Sequence, residues 1–498
     1  MRSNWDPFNN SQIKADLKGR SIRGGMLTLA GQAITFILNI VRIFVLARLL
    51  TPKDFGLIAM VLTITSFLMI LKDAGLSMAT VQRKSVTHDQ VSSLFWVNLA
   101  IGCLLGFLLL LLSPAIAWFY REPELWRVSA ALSVTFPLSS LLIQHEALLK
   151  RHMRFDKLLF MQVAGSSVSL VVAVTCVKIG MGYWALVMSL IATPLISVGL
   201  IWILVPWLPG KFRRGVGCME MIRFGGHLTL DSFFKKFLEI YPELLVGRIY
   251  SASALGFYSK AKQLLLVPLA QALAPFQAVA VPVLSRLVDE PDRYCAYFHS
   301  QWILIRCFIV PVFCCSIVMY DWITDIALGP GWESVQTLFL LSSIGAMFNF
   351  GIWPVTNMMI TQGRTWDVLK LSFVRVPLRV CACSVGAFYS LELLIALDAL
   401  ATFFMVLVLV WVGGRSGPVD RNQLLSGYVK YIVSLFIAIS LGWMSRLSLI
   451  RYEIYEPILI VLVLISCLLV SGLVVLASGE NRKVIGEVVA QLTRRFAK

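Results

Sequence analysis

Charged side chains set inside long apolar runs carry the first chemistry in this sequence. Between residues 224 and 247, His227, Asp231, Lys235, Glu239 and Glu243 follow one another at steps of four, with Lys236 beside them. A step of four overshoots a helical turn by about 40°, so the set forms a slowly winding polar stripe on one side of a helix. Thr28, Gln32, Thr35, Asn39 and Arg42 make a similar stripe far upstream. Lys260, Gln263 and Gln271 lie in the next apolar run, Arg306 begins another, and Arg375 and Arg379 stand one turn apart in a third. A charge at the bilayer centre costs roughly 2.5–3.5 kcal/mol on insertion scales. Such groups therefore neutralise one another or line a wet space. Lys235 can pair with Asp231 or Glu239 at four-residue spacing. Arg42, Arg375 and Arg379 have no acid within a turn on their own helix. Together with Lys235 and Arg306 they are assigned to a cavity that receives a negative ligand, with Gln32, Asn39, Lys260 and Gln263 as polar lining. His227, Asp231 and Glu239 are the candidates for proton or cation coupling, His227 because imidazole titrates near neutrality.

These side chains need helices to hold them, and composition says what kind. Of 498 residues, 58% are hydrophobic and 14% charged, against roughly 25% charged in an average soluble protein; mean hydropathy is +0.80. A water-soluble fold could not hide that much apolar surface. The chain is an all-α integral membrane protein. About fourteen apolar segments, each needing ~20 residues to cross a bilayer, leave no room for an independently folded catalytic or nucleotide-binding domain. Spans are expected near 24–47, 55–78, 91–119, 128–149, 158–178, 183–205, 224–247, 255–283, 297–320, 334–360, 368–388, 391–412, 426–446 and 457–477.

An internal repeat runs at an offset of two hundred. Ile22-Arg23-Gly24-Gly25 recurs as Ile222-Arg223-Phe224-Gly225, and Arg48 through Phe55-Gly56-Leu57 is echoed by Arg248 through Leu255-Gly256-Phe257. Six spans separate the copies, so both run the same way through the membrane. Parallel duplication of this kind typifies transporters with a site between their halves. The expected organisation is an N-terminal segment 1–23, a six-helix bundle 24–205, a basic linker 206–223, a second six-helix bundle 224–412, two appended helices 413–477 and a basic tail 478–498. Basic residues gather on one side: the N-terminal segment, Arg83-Lys84, the Lys150-Arg151-Arg154-Lys157 cluster, Lys211-Arg213-Arg214-Arg223 and the tail. By the positive-inside rule both termini are cytoplasmic.

The net charge of +17 punctuates hydrophobic segments and does not form a nucleic-acid patch. No GxxxxGK[ST] loop for ATP occurs. His145-Glu146 begins like a zinc-protease helix, but position 149 is leucine. The cysteines lack metal-ligand spacing, and no metal or cofactor is expected. Gly102 and Gly106 suit close helix packing. Spans three to six, thirteen and fourteen, nearly uncharged, read as scaffold. Asp321 and Asp325, beside Gly329-Pro330-Gly331-Trp332, read as a solvated turn. Pro268, Pro275 and Pro282, seven apart, would bend the eighth span.

Ordered stretches of the sequence also resemble a known family. Arg48-Leu49-Leu50-Thr51-Pro52-Lys53-Asp54-Phe55-Gly56-Leu57, Asp73-Ala74-Gly75-Leu76, His145-Glu146-Ala147-Leu148-Leu149-Lys150-Arg151 with Arg154-Phe155, and Gly180-Met181-Gly182-Tyr183-Trp184-Ala185-Leu186-Val187 look like the bacterial oligosaccharide flippases. The likeness is to the colanic-acid type within the multidrug/oligosaccharidyl-lipid/polysaccharide exporter superfamily, and it covers spans one to eight best. The resemblance implies an inner-membrane transporter, not an enzyme, alternating its cavity between two sides. Its cargo would be undecaprenyl-pyrophosphate-linked oligosaccharide, moved to the periplasmic leaflet for exopolysaccharide, capsule or lipopolysaccharide assembly. Arg42, Lys235, Arg306, Arg375 and Arg379 would then meet pyrophosphate, since guanidinium presents paired donors to its oxygens. Membrane lipids, and polymerase and chain-length proteins of the same pathway, are the implied partners. A cation- or proton-coupled multidrug antiporter of the same superfamily is the alternative; a membrane glycan polymerase, which needs a large outer loop, is the second.

Overall fold

The computed structural model describes residues 17–73, 77, 80–81, 86–213, 233, 236–350, 352–451, 456–477, 481–482 and 486. Among them regular structure is helical: α1 (Leu17–Leu49), α2 (Pro52–Asp73), α3 (His88–Tyr120), α4 (Leu125–Leu132), α5 (Thr135–Arg151), α6 (Phe155–Lys178), α7 (Trp184–Leu204), α8 (236–249), α9 (Ala252–Arg286), α10 (Pro291–Val318), α11 (Tyr320–Leu328), α12 (Glu333–Asn349), α13 (Ile352–Thr361), α14 (Thr365–Tyr389), α15 (Leu391–Gly413), α16 (Arg421–Ile450) and α17 (Glu456–Leu476). Twelve stretches are long and apolar enough to cross a membrane, with α4–α5 and α12–α13 each making one crossing. The chain is a multi-pass membrane protein. The count of fourteen also included a seventh span, which lies partly outside the described residues, and α9, which is not among the twelve.

Helix ends follow local chemistry more than hydropathy. α3 starts before its apolar run because Thr87 and Gln90 form a capping box: the Thr87 side chain accepts from the Gln90 N–H, and the Gln90 side chain from the Thr87 N–H at 3.1 Å. α10 starts at Pro291, whose missing N–H costs nothing in a first turn. The three prolines of α9 do not interrupt its helix.

The chain divides into two compact units, 1–256 and 257–498. In the first, α6 packs against α7 and α1, and α3 against α5 and α4. Gly102 and Gly106 allow the α3–α5 approach: a Cβ on Gly102 would lie 2.0 Å from Ser140 Oγ, and one on Gly106 2.8 Å from the Ser133 carbonyl. Thr80, Gln144 and Asn98 form a buried chain of hydrogen bonds, each 2.9 Å. His145 sits among Phe95, Trp202 and Trp207 in a packed aromatic cluster. The segment after α7 folds back along α3, where Arg213 pairs with Asp89 at 2.6 Å.

Two features of the fold repeat themselves. Gly56 and Gly256 meet reciprocally: a Cβ on Gly56 would stand 1.6 Å from the Ala252 carbonyl oxygen, and one on Gly256 2.0 Å from that of Pro52. Residues 52 and 56 thus face 252 and 256, so the anchors of the sequence repeat pack on each other through bare backbone. A second correspondence runs at an offset of 210. α5 ends with Met153 N–H on Lys150 C=O and Arg154 N–H on Leu149 C=O; α13 ends with Gly363 N–H on Ile360 C=O and Arg364 N–H on Met359 C=O. Both are Schellman turns, with Met153 at φ 55° and Gly363 at φ 75°.

In the second unit, α14 and α15 form a hairpin, α15 packs on α12 and α13, and α10 packs on α16 and α17. The thirteenth span, read as nearly uncharged, carries one buried charge near its end. Arg446 of α16 is buried, donates to Asp321 through both Nη1 and Nη2 and to the Val318 carbonyl, and lies 4.3 Å from the Trp322 ring centre. Asp321 correspondingly opens a short helix, and Asp325 accepts from Gln336 at 2.8 Å. For Asp321 the solvated-turn reading fails because a guanidinium buried on a helix end needs a carboxylate, which the first turn of α11 supplies.

Removing one partner of a buried pair leaves the other uncompensated, at a cost of about 3–5 kcal/mol. Arg446→Ala is expected to destabilise the second unit by about that much, measured by thermal unfolding in detergent. Arg446→Lys should recover less than half, since ammonium cannot reproduce the bidentate and stacked geometry.

Candidate functional site

Basic groups near the helix ends are spent on structure. Arg364 follows the Schellman turn of α13 and donates to the carbonyls of Val412 and Gly413, each at 2.9 Å, to that of Ser416, and to Asp367 at 3.1 Å. It thereby satisfies carbonyls that the end of α15 leaves open. Lys157 does the same for α7 through the Leu204 carbonyl, at 2.5 Å.

The groups inside the spans sort differently. On α1, Gln32, Thr35, Asn39 and Arg42 are spaced three, four and three apart and share one face. All four are half-buried. Gln32, Asn39 and Arg42 have no hydrogen-bond or ion-pair partner among the described residues, and Thr35 Oγ1 is buried with none. On α8, Glu239 pairs with Lys236 at 3.0 Å. Lys235, its expected partner, lies outside the described residues, as do His227 and Asp231. Glu243, one turn further, accepts from Thr63 Oγ1 of α2 at 3.1 Å.

In the second unit Lys260 is buried and donates to Gln263 at 2.8 Å, so these two lining candidates satisfy each other. Arg306, 4% exposed, donates to Asn481 beyond α17 at 3.1 Å. That contact ties α10 to the segment beyond α17. Arg379 has a carboxylate partner. Its Nε and Nη2 each lie 2.7 Å from the two oxygens of Asp398, so its guanidinium is matched by a carboxylate on the next helix. The hairpin sets that register. Ser390 alone joins α14 to α15 and caps α15 by accepting from the Leu393 N–H. A Cβ on Gly386 would sit 2.5 Å from the Leu394 Cα, so the helices touch by backbone just below the turn. Arg379 and Asp398 fall opposite each other.

Arg375 is left over. It lies one turn from Arg379, within electrostatic reach of both Arg379 and Asp398. Its Nε is buried without a hydrogen-bond partner, and no carboxylate pairs with it among the described residues. Cys383, a turn beyond Arg379, donates to Asp398 at 3.4 Å. Lys262 of α9 acts on that same cluster, and its ammonium lies 5.9 Å from the Tyr258 ring centre. Arg375 and Arg379 therefore share one carboxylate, with Lys262 within electrostatic reach of the cluster. Such a cluster can hold an anion. Asp398 and Lys262 were absent from the sequence-derived set, although each is a charge inside an apolar run, the signal that singled out Arg375.

The sequence matches the model of a family described as polysaccharide biosynthesis protein over residues 45–337, more than half of the chain. The chain belongs to this family. Relatives include the lipopolysaccharide biosynthesis protein WzxC of Escherichia coli (strain K12), 23% identical over 84% of this chain and 85% of the relative. The succinoglycan biosynthesis transport protein ExoT of Rhizobium meliloti (strain 1021) is 25% identical over 70% of this chain and 66% of its own. Among solved structures, the lipid II flippase MurJ in an inward closed conformation superposes with a TM-score of 0.66 at 13% identity, covering 91% of this chain and 98% of that one. An inward-facing multidrug resistance MATE transporter of the MOP superfamily gives 0.59 at 12% identity, covering 80% and 95%. The family member described here shares their fold.

If Arg379 and Asp398 neutralise each other, Asp398→Leu alone should cost about 3–5 kcal/mol of stability. The double variant Arg379→Leu/Asp398→Leu should recover most of it. Thermal unfolding of the single and double variants measures the coupling.

Proposed function

We propose that this family member is a flippase for lipid-linked oligosaccharides carried on undecaprenyl pyrophosphate, a transporter of the bacterial inner membrane and not a catalyst. Membership of the polysaccharide biosynthesis family supports the class of cargo. The observation that carries the mechanism is Arg375: a half-buried guanidinium whose Nε is buried without a hydrogen-bond partner and which pairs with no carboxylate among the described residues, held beside the Arg379–Asp398 pair. An unpaired buried charge is retained against its desolvation cost only if it gains a partner during the working cycle. A pyrophosphate supplies that partner, because its oxygens match the fork of guanidinium donors. Arg42 and the unpartnered amides of Gln32 and Asn39 offer a cation and neutral hydrogen-bonding groups suited to phosphate and sugar hydroxyls.

In this reading Arg379 does not bind cargo. It holds Asp398, and the pair fixes Arg375 while leaving excess positive charge. Both termini face the cytoplasm, and cargo moves from the cytoplasmic to the periplasmic leaflet as the protein alternates between its two access states. Coupling would draw on carboxylates of the seventh span, Asp231 with His227, and on Glu243, held by Thr63. Polymerase and chain-length proteins of the pathway would receive the flipped unit. A pocket for cationic drugs would require the opposite balance of charge, and two arginines beside one carboxylate disfavour the antiporter reading.

Arg375→Gln separates transport from folding. Export in a strain deleted for the chromosomal gene should fall at least tenfold, with thermal stability of the purified protein unchanged or raised, because an uncompensated charge is removed. Arg42→Gln should behave likewise. Full export with either variant would sink the assignment of these arginines to the cargo.

A further inference from the structure

Where α3 ends, the first unit holds a cavity of about 400 Å³ lined by Ala117, Trp118, Arg121, Pro123 and Arg248. Two guanidinium groups thus share one small space, and no acid lines it. Local structure sets both in place. α3 closes in a Schellman turn, with the Arg121 N–H on the Trp118 carbonyl at 3.3 Å and the Glu122 N–H on that of Ala117 at 3.1 Å. The turn holds Arg121 at φ 58°, where glycine would sit without strain. Arg248 comes from the end of α8. A Cβ on Gly247 would lie 2.6 Å from Tyr120 Cε1, so the two helix ends touch, and the Arg248 guanidinium lies 5.6 Å from the Phe119 ring centre. Neither arginine side chain has a hydrogen bond or ion pair among the described residues, and the adjoining Glu122 and Glu124 pair with neither. Arg121 is exposed, Arg248 is half-buried, and no nitrogen of the Arg248 guanidinium is shut away from the surface. Accessible donors and two cations without a carboxylate select an anion.

Depth and surroundings say what kind of anion. α3 has 33 residues, about 50 Å at the helical rise, against a hydrocarbon core of ~30 Å. Its end therefore stands at head-group level. Below the cavity Leu104, Phe107, Leu111 and Trp118 are all exposed, and steps of three, four and seven put them on one face. Trp118, at the top of that face, is 79% exposed. An apolar track that leads up to two bare cations has the outline of a lipid with a negative head. The arginines also run against the charge bias of the chain: α3 begins beside Arg83-Lys84, on the basic side, and ends on the other. We propose that this cavity is a binding site for an anionic phospholipid of the leaflet in which α3 ends. Its phosphate accepts hydrogen bonds from Arg121 and Arg248, whose forked donors match phosphate oxygens. An acyl chain lies along Leu111 and Phe107 beside the Trp118 ring. The site shares no residue with the cargo cluster on α14 and α15, and it stands whatever the cargo is. It places a resident lipid at the joint between α3 and α8.

The test uses the full chain purified in detergent and three labelled probes: dioleoylphosphatidylglycerol, the zwitterionic dioleoylphosphatidylcholine, and glycerol 3-phosphate without tails. Phosphatidylglycerol is expected to bind saturably, at least tenfold tighter than either of the others. Arg121→Gly removes the guanidinium and relieves the left-handed turn, so affinity should fall about tenfold, as loss of a hydrogen bond between charged groups requires. Thermal unfolding of that variant should occur at an unchanged or higher temperature. Arg248→Gln should weaken binding by a similar factor. Arg127→Gln removes an exposed arginine of α4, close in sequence but outside the cavity, and should leave binding unchanged. Equal affinity for phosphatidylcholine would show an interfacial aromatic belt and no anion site. Equal affinity for glycerol 3-phosphate would show a site for soluble anions, and an equal loss in Arg127→Gln a general effect of surface charge. Any of these results, or undiminished binding in Arg121→Gly, overturns the proposal.

Discussion

An ionised group in the hydrocarbon of a bilayer must find a counter-charge, a ring of hydrogen-bond partners or a ligand, and that constraint organises this molecule. In the second unit the arginines answer it one by one. Arg446 takes Asp321 and two tryptophan faces, Arg379 takes Asp398, Arg306 takes an amide oxygen of Asn481, and Arg364 takes the carbonyls at the end of α15. Each solution ties one helix to another, so the charges that look functional in a hydropathy reading act as cross-braces. Arg375 on α14 and Arg42 on α1 have no such solution among the described residues. They stand out by elimination, a stronger criterion than the mere presence of charge.

The echoed stretches of sequence correspond in backbone more than in side chains. The reciprocal approach of Gly56 and Gly256 and the paired Schellman turns before α6 and α14 preserve geometry while the sequences around them have drifted. Met153 and Gly363 illustrate the drift: both occupy the left-handed region, which glycine enters freely and methionine enters at some cost. The turn is what is kept. Between these shared joints the two units are free to differ, and their polar groups do. The first holds a stripe of neutral amides and one arginine on α1, the second a compact cationic cluster around Asp398.

The appended helices are bound into the second unit by polar contacts at several depths. Tyr431 donates to the Met347 carbonyl at 3.0 Å, Ser445 and Ser466 bond at 2.9 Å between α16 and α17, and Arg446 locks the far end. With lipid on one side there is little hydrophobic drive for helices to associate, and packing and hydrogen bonds must do it.

Much of this was legible in the order of residues alone. The membrane class, the approximate position of the helices and the flippase-like pattern of motifs follow from local properties: bilayer thickness sets the length of an apolar run, and each residue's transfer cost is its own. Gly102 and Gly106 announced their close packing for the same reason. The fates of Arg306, Arg379 and Asp321 were not legible. Their partners, Asn481, Asp398 and Arg446, lie 175, 19 and 125 positions away, on elements whose rotation and relative height no single helix encodes. Sequence determined which groups needed a partner. Only the tertiary structure decided which found one, because pairing across helices depends on register between elements, a property of packed surfaces and not of any one of them.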